Sequence, residues 1–339
     1  MAKSSADLQL QRWAYTALLL VLVTVILIYT RSLFVPFTIA LFVYSILAVM
    51  IRTLSKKLKI KRSVATLLSL TLVNLVGVVV CVLVVYSLQD FFESASEYRK
   101  RVLDLVEVGT RNTSILGFDL SSLDIKNELK QLPFLGWARG ITGGALHILG
   151  NAFLVFIFLL FFIAGGNKEI EGKRHSILKI IDTQVSQYIL MKSGISLLTG
   201  VFIFTVFSFF RVDLALMFSV ITVLLNFIPS IGSLIAVALP LPVIYLQFGF
   251  SVKFFAVLMI SALIQFLIGN VLEPKMMGDS MRLHPVIVLL FLIFWGLVWG
   301  IPGMFLSVPI MAVLKIILSQ NEATQGYAQI LSGELPERT

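Results

Sequence analysis

The sequence predicts an all-α fold: a polytopic transmembrane helical bundle of about eight spans, with Gly/Pro-broken or re-entrant helices in the C-terminal third. Three observations predict it. Of 339 residues, 58% are hydrophobic and 13% charged, about half the charged share that clothes a soluble domain. The apolar residues gather in runs, and most are long enough to cross a hydrocarbon core, which takes about 20 helical residues. The basic residues gather between those runs, as they do in cytoplasmic loops. A length that would suggest two soluble domains has no such meaning for a bundle in lipid.

The runs fall at about 13–30, 33–51, 64–88, 145–164, 193–210, 214–247, 253–271 and 285–318. Lipid offers nothing to bond a free backbone group, so each run must be helical. The alternation of barrel strands is absent. Lys3 and Arg12 precede the first run as they would in a signal peptide. That run is too long for one, however, and no small-residue cleavage site follows, so it is expected to remain as the first helix.

The loop after the second run holds Arg52, Lys56, Lys57, Lys59, Lys61 and Arg62 without an acid, which predicts a cytoplasmic position. The N-terminus, two crossings earlier, is then cytoplasmic. The polar stretch 165–192, with Lys168, Lys173, Arg174, Lys179 and Lys192, is expected as a second cytoplasmic loop, in agreement with strict alternation. The segment 89–144 then lies outside. In it Phe91, Ala95, Tyr98, Val102 and Leu105 recur at helical spacing among Glu97, Arg99, Lys100 and Asp104. A short helix is expected from Ser122 to Leu132, ended by Pro133. Such a segment packs on the bundle as a spacer, or serves as a gate or an oligomer contact. The chain thus divides into 1–88 (three spans), 89–144 (extracytoplasmic helical segment), 145–320 (transport region) and 321–339 (cytoplasmic tail).

Two late runs are interrupted. The run 214–247 carries Pro229, Gly232, Pro240 and Pro242; the run 285–318 carries Gly300, Pro302, Gly303 and Pro309. Breaks of this kind survive at membrane depth only where protein or a hydrated cavity satisfies the freed backbone. Each run is a hairpin or one kinked span, and both choices leave the C-terminus cytoplasmic. Ile228-Pro229, Gly232 and Pro240 parallel Ile301-Pro302, Gly303 and Pro309, and paired broken segments point to a transporter's substrate site.

Enzyme signatures are missing. His147, His175 and His284 have no metal-ligand spacing, and no nucleophile elbow, zincin motif or phosphate loop occurs. Ser176 and Lys179 match a catalytic spacing by chance, without partner motifs. No catalytic residue, metal or cofactor is therefore expected. Cys81 is the single cysteine and reads as a small hydrophobe in a helix. The net charge of +9 does not imply nucleic acid, because it is spread between spans rather than over a soluble face.

The polar residues of the late spans carry more information. Asn226 stands just before Pro229; Gln265, Asn270 and Glu273 lie on or beside the seventh run. An amide in lipid needs a partner, either another helix or a solute. Glu273 with Lys275 is costly to bury unless the pair meets or faces water; Asp279, Arg282 and His284 favour a surface position for this stretch. Arg211 and Asp213 read as a tight outer turn. Gly296 and Gly300 permit close helix approach, with Trp295 and Trp299 marking an interface level or packing inward.

Two stretches then resemble the autoinducer-2 exporter family of bacterial membrane proteins. One is Leu225-Asn226-Phe227-Ile228-Pro229-Ser230-Ile231-Gly232, followed by Pro240. The other runs Asn270-Val271-Leu272-Glu273-Pro274-Lys275-Met276-Met277-Gly278, Leu283-His284-Pro285, Phe294-Trp295-Gly296, Gly300-Ile301-Pro302-Gly303-Met304 and Ser307-Val308-Pro309. The detailed match covers the C-terminal third; the earlier part agrees in layout. Ser230 stands where the family often has tyrosine or asparagine. The resemblance implies a multi-pass protein of the bacterial inner membrane and a homo-oligomer, with a pentamer the expected form. It also implies export of a small polar signalling molecule of the autoinducer-2 type, with sodium (cation)/proton antiport as the alternative. The expected partners are the lipid bilayer and a small polar solute. The expected pathway residues are Asn226, Pro229, Gly232, Gln265, Asn270 and Glu273. Pro240, Gly300, Pro302, Gly303 and Pro309 are the expected hinges.

Overall fold

A computed structural model describes residues 5–113, 134–165, 173–277 and 283–334. They are helical almost throughout, with no strand among the described residues. The helices are α1 (Ser5–Tyr29), α2 (Arg31–Leu58), α3 (Arg62–Thr113), α4 (Phe134–Gly165), α5 (Lys173–Phe210), α6 (Ala215–Leu225), α7 (Ile231–Ala238), α8 (Leu241–Phe248), α9 (Val252–Leu267), α10 (Glu273–Met277), α11 (Pro285–Trp299), α12 (Ile301–Leu318) and α13 (Glu322–Ser332). Among the described residues, six helical stretches are long and apolar enough to cross a membrane, and Ala14–Tyr29, Gly150–Gly165, Ala215–Leu225 and Pro285–Trp299 are shorter apolar helices. The chain is a polytopic helical membrane protein.

Two expectations about loops change. The stretch 165–192 is helix from Lys173 onward, and the candidate span begins at Ile180. No proline or glycine interrupts 175–193, and Val185, Tyr188 and Ile195 continue one buried face. Lys192 is thus part of a span, not of a loop. Into the segment expected outside, α3 continues without a break for 52 residues, about 78 Å at the usual helical rise. The helix expected at Ser122–Leu132 lies outside the described residues, as do Lys168, Asp279 and Arg282.

The chain forms two compact units: residues 1–49, 149–188 and 279–339, and residues 50–148 and 189–278. In the first, Phe37 of α2 packs edge-on against Phe158 and Phe162 of α4, with ring centroids 5.4 and 5.5 Å apart. Ser45 donates to the Asp182 carboxylate at 3.0 Å, and Ser186 donates to the Ser45 carbonyl at 2.8 Å.

The run 285–318 is a hairpin in this unit, α11 and α12 packing side by side around Gly300. Gly300 has φ 68° and ψ −146°, a conformation open essentially to glycine. A Cβ on Gly303 would lie 2.0 Å from the Trp295 carbonyl oxygen, so the limbs close backbone to backbone. Gly296 faces Met304 across the same hairpin; the glycine step therefore serves contact within the chain. The Trp295 and Trp299 rings meet at a tilt of 50° with centroids 4.5 Å apart, and the buried Trp299 indole donates to the Leu27 carbonyl at 3.1 Å, so it packs inward. At the far end of α12, α13 returns so that the His284 amide donates to the Leu331 carbonyl at 3.1 Å.

The run 214–247 folds back too. The α6 limb has 11 residues, about 16 Å, too short for a core of about 30 Å. After it the chain reverses, and α7 and α8 continue through Pro240 as one stretch, Ile231–Phe248, long enough to span. A Cβ on Gly232 would sit 1.8 Å from the Leu225 carbonyl oxygen. The core of this unit is an apolar cluster drawn from α5, the turn after it, α6, α8 and α9: Ile203, Phe207, Val212, Leu214, Met217, Phe218, Ile244, Phe254 and Val257. At the turn between α5 and α6, the Gln247 amide accepts from the Asp213 N–H at 3.0 Å and donates to the Arg211 carbonyl and the Asp213 carboxylate. Arg101 of α3 stands 4.0 Å from that carboxylate. This turn is thus tied to two other helices.

Candidate functional site

Within the second unit lies a pocket of about 360 Å³, inside the size range of small-molecule sites. Its lining is Lys192 from α5; Asn226, Ile228, Pro229, Ser230 and Ser233 from the turn after α6 and the start of α7; and Gln265 from the end of α9, Ile268, Gly269 and Asn270 from the turn that follows it, and Glu273 from the start of α10. Two backbone irregularities shape it.

The first is the turn. Ser230 has φ 57° and ψ −52°, and the Ile231 N–H donates to the Pro229 carbonyl at 2.6 Å. A bond between residues two apart around a central residue of that conformation is a γ-turn, rare and strained outside glycine. It is held by the Gly232–Leu225 contact and by Ser233 Oγ, which donates to the Ser230 carbonyl at 2.9 Å. The reversal exposes Asn226, Pro229 and Ser230 to one space.

The second is a π-helical turn at Ile268–Leu272, where the Glu273 N–H reaches back to the Ile268 carbonyl. Pro274 explains its position: it lacks an N–H and would clash with the carbonyl of Asn270 in a regular helix. The widened turn relieves that conflict, and such turns concentrate at functional sites. Asn270 Nδ2 donates to the Phe266 carbonyl at 3.1 Å, leaving its carbonyl oxygen for the pocket.

Glu273 does not pair with Lys275, as its neighbour in sequence suggested. Its carboxylate bonds the ammonium of Lys192, whose side chain is 5% exposed against 25% for Glu273. Burying either charge alone would cost several kcal/mol; as a pair they place a fixed dipole on the pocket wall. Gln265 is 6% exposed, and its Nε2 has no hydrogen-bond partner among the described residues. A buried amide left so is costly, and Gln265 is one of the residues that line the polar cavity.

Of the expected pathway residues, the structure brings together Asn226, Pro229, Gln265, Asn270 and Glu273. Gly232 stands behind the turn and supports it. Pro240 joins α7 to α8, away from the pocket lining. Gly300, Pro302, Gly303 and Pro309 belong to the other hairpin, Pro302 in the first turn of α12 and Pro309 buried inside it. Lys192, Ser230 and Ser233 went unrecognised in the sequence. The one signal that could have found Lys192 is the unbroken helix-forming pattern leading into it.

A polar pocket bounded by broken helices inside an apolar bundle is the architecture of a solute transporter. Residues 17–322 match the profile of the AI-2E family transporters, and the chain belongs to that family. A Haemophilus influenzae protein provisionally described as a transport protein is 30% identical over 88% of this chain and 89% of its own length. The AI-2 transport protein TqsA of Escherichia coli is 26% identical over 90% of each. A Borreliella burgdorferi protein with the same provisional description is 33% identical over 59% of this chain and 58% of its own.

Proposed function

We propose that this transporter exports a small polar signalling molecule of the autoinducer-2 type from bacterial cells, with the pocket at Asn226, Gln265 and Asn270 as its binding site. The observation that carries the reading is the unpartnered Gln265 amide in a polar pocket, in a chain similar to an AI-2 transport protein over 90% of its length. Amides offer both donors and acceptors, which suits a polyhydroxylated solute. The basic stretch 52–62 favours an inner-membrane orientation with both termini cytoplasmic, which puts the pocket toward the cytoplasmic end, where an exporter collects its cargo. We place the chain in a homo-oligomer.

The test is efflux of autoinducer-2 from proteoliposomes holding the purified protein. Efflux faster than from empty liposomes is expected, and Asn226→Ala should slow it about tenfold, the loss of one to two hydrogen bonds, with assembly intact. Equal rates in protein-containing and empty liposomes would reject the reading.

A second reading is cation/proton antiport, favoured by the Glu273 carboxylate on the pocket wall. It requires Glu273→Gln to abolish sodium-driven proton movement in protein that remains folded. Persisting exchange would eliminate it.

A further inference from the structure

The helices that line the pocket carry buried hydroxyl groups beyond it. On α5, Ser196 and Thr199 follow Lys192; on α6, Thr222 and Ser219 precede Asn226; on α9, Ser261 precedes Gln265. All five hydroxyl residues are at least 96% buried.

Their depth is fixed by what lies at either end. Lys192, Asn226 and Gln265 line the pocket, while Ile203 and Phe207 of α5, Met217 and Phe218 of α6, and Phe254 and Val257 of α9 belong to the apolar cluster. On each of the three helices the hydroxyls therefore fall between pocket and cluster. The register of α5 on α6 agrees: a Cβ on Gly200 would meet Val223 and come 3.2 Å from the Ser219 carbonyl oxygen, and the Phe207 and Phe218 rings meet edge-on at 6.3 Å.

Thr199 and Ser219 bond the carbonyls one turn back, as serine and threonine do in membrane helices. Ser196 Oγ and Ser261 Oγ have no partner among the described residues. A merely structural serine has that backbone bond available. Two serines without it, on separate helices and each one turn from a pocket residue, leave donors and acceptors unsatisfied unless a polar guest reaches them.

We propose that this hydroxyl layer is the continuation of the solute path, a subsite for uncharged, hydroxyl-bearing solutes, and that the apolar cluster above it is the closed barrier. The inference rests on the reading of the pocket as the solute site. No ionised side chain stands in the layer among the described residues, and the Lys192–Glu273 pair at its entrance is neutral overall; both favour an uncharged guest. The cluster is packed by aromatic rings, and passage requires it to part.

The test replaces single residues by cysteine in a Cys81→Ala background and follows reaction with the uncharged, water-soluble reagent 2-hydroxyethyl methanethiosulfonate. Ser233→Cys reports the pocket, Ser196→Cys and Ser261→Cys the layer, and Phe207→Cys the barrier. The first three are expected to react, and autoinducer-2 at about ten times its dissociation constant to slow them about tenfold by mass action. Phe207→Cys is expected to stay unreactive. If Ser233→Cys reacts and is protected while both layer cysteines stay silent, the layer is dry and this inference is wrong, although the pocket stands. If Ser233→Cys reacts without protection, the pocket reading itself fails. Reaction at Phe207→Cys would overturn the barrier. Serine and cysteine are close in size, and the two layer positions sit on different helices, so either one gives the answer. An independent measurement is the Ser196→Ala/Ser261→Ala double variant. We expect efflux about tenfold slower with no fall in melting temperature; unchanged efflux with a higher melting temperature would mark the hydroxyls as structural remnants.

Discussion

Lys192 and Glu273 are separated by 81 positions in sequence, and each is misread when taken with its neighbours. Glu273 stands two residues from Lys275, a counter-ion at hand in the sequence; Lys192 ends a string of basic residues and reads as part of a loop. Helix continuity overrides both impressions, because α5 carries Lys192 into the buried face that also holds Ser196 and Thr199. Asn226, Gln265 and Asn270 were legible, since amides in apolar runs demand partners. The ion pair was not, because nothing local encodes a contact between distant helices. The pair also makes a prediction. Glu273→Ala leaves the Lys192 charge buried alone and should destabilise the protein by about 3–5 kcal/mol. Adding Lys192→Met, which removes the stranded charge and keeps the volume, should restore most of that. Thermal melting of the purified variants in detergent measures both, and a double variant no better than the single would mean the charge is hydrated.

At the scale of elements, the breaks in the two long runs were legible from proline and glycine. What they do is settled by a contact that a pattern of residue types does not contain. In each hairpin one glycine lies where a Cβ would strike a carbonyl oxygen, Gly232 against Leu225 and Gly303 against Trp295, so the limbs approach to backbone distance. The parallel noticed in the sequence thus has a common geometry. The hairpins differ in their turns: Gly300 adopts a conformation natural to glycine, whereas Ser230 occupies its γ-turn under strain. Gly232→Ala and Gly303→Ala should each cost at least the 1–3 kcal/mol of an overpacked site. Gly296→Ala should cost less, because its Cβ would meet only the flexible side chain of Met304. Melting temperatures of the three variants rank them; a Gly296→Ala as damaging as Gly303→Ala would contradict the assigned packing. Helix extent was the least legible feature. The polarity of residues 173–192 imitates a loop, yet no breaker interrupts them.

The whole molecule turns its apolar side chains outward. Leu297 is 81% exposed and Phe161 71%, which would invite aggregation in water and is ordinary against lipid chains. This was the most legible property of all, because length and composition alone decide it. We expect a reporter enzyme that works only outside the cytoplasm to be inactive when fused after Ser332 and active when inserted at Phe250, between α8 and α9. The reverse pattern would invert the proposed orientation and, with it, the side from which the pocket loads.

Every residue lining the pocket, and every hydroxyl beyond it, comes from one stretch of a single chain, Lys192 to Glu273. In an assembly of identical subunits this makes the subunits independent workers rather than sharers of one central conduit. When functional and blocked chains are mixed, total flux should then decline in simple proportion to the blocked fraction, as a straight line, where a shared conduit would collapse as a steep power of it.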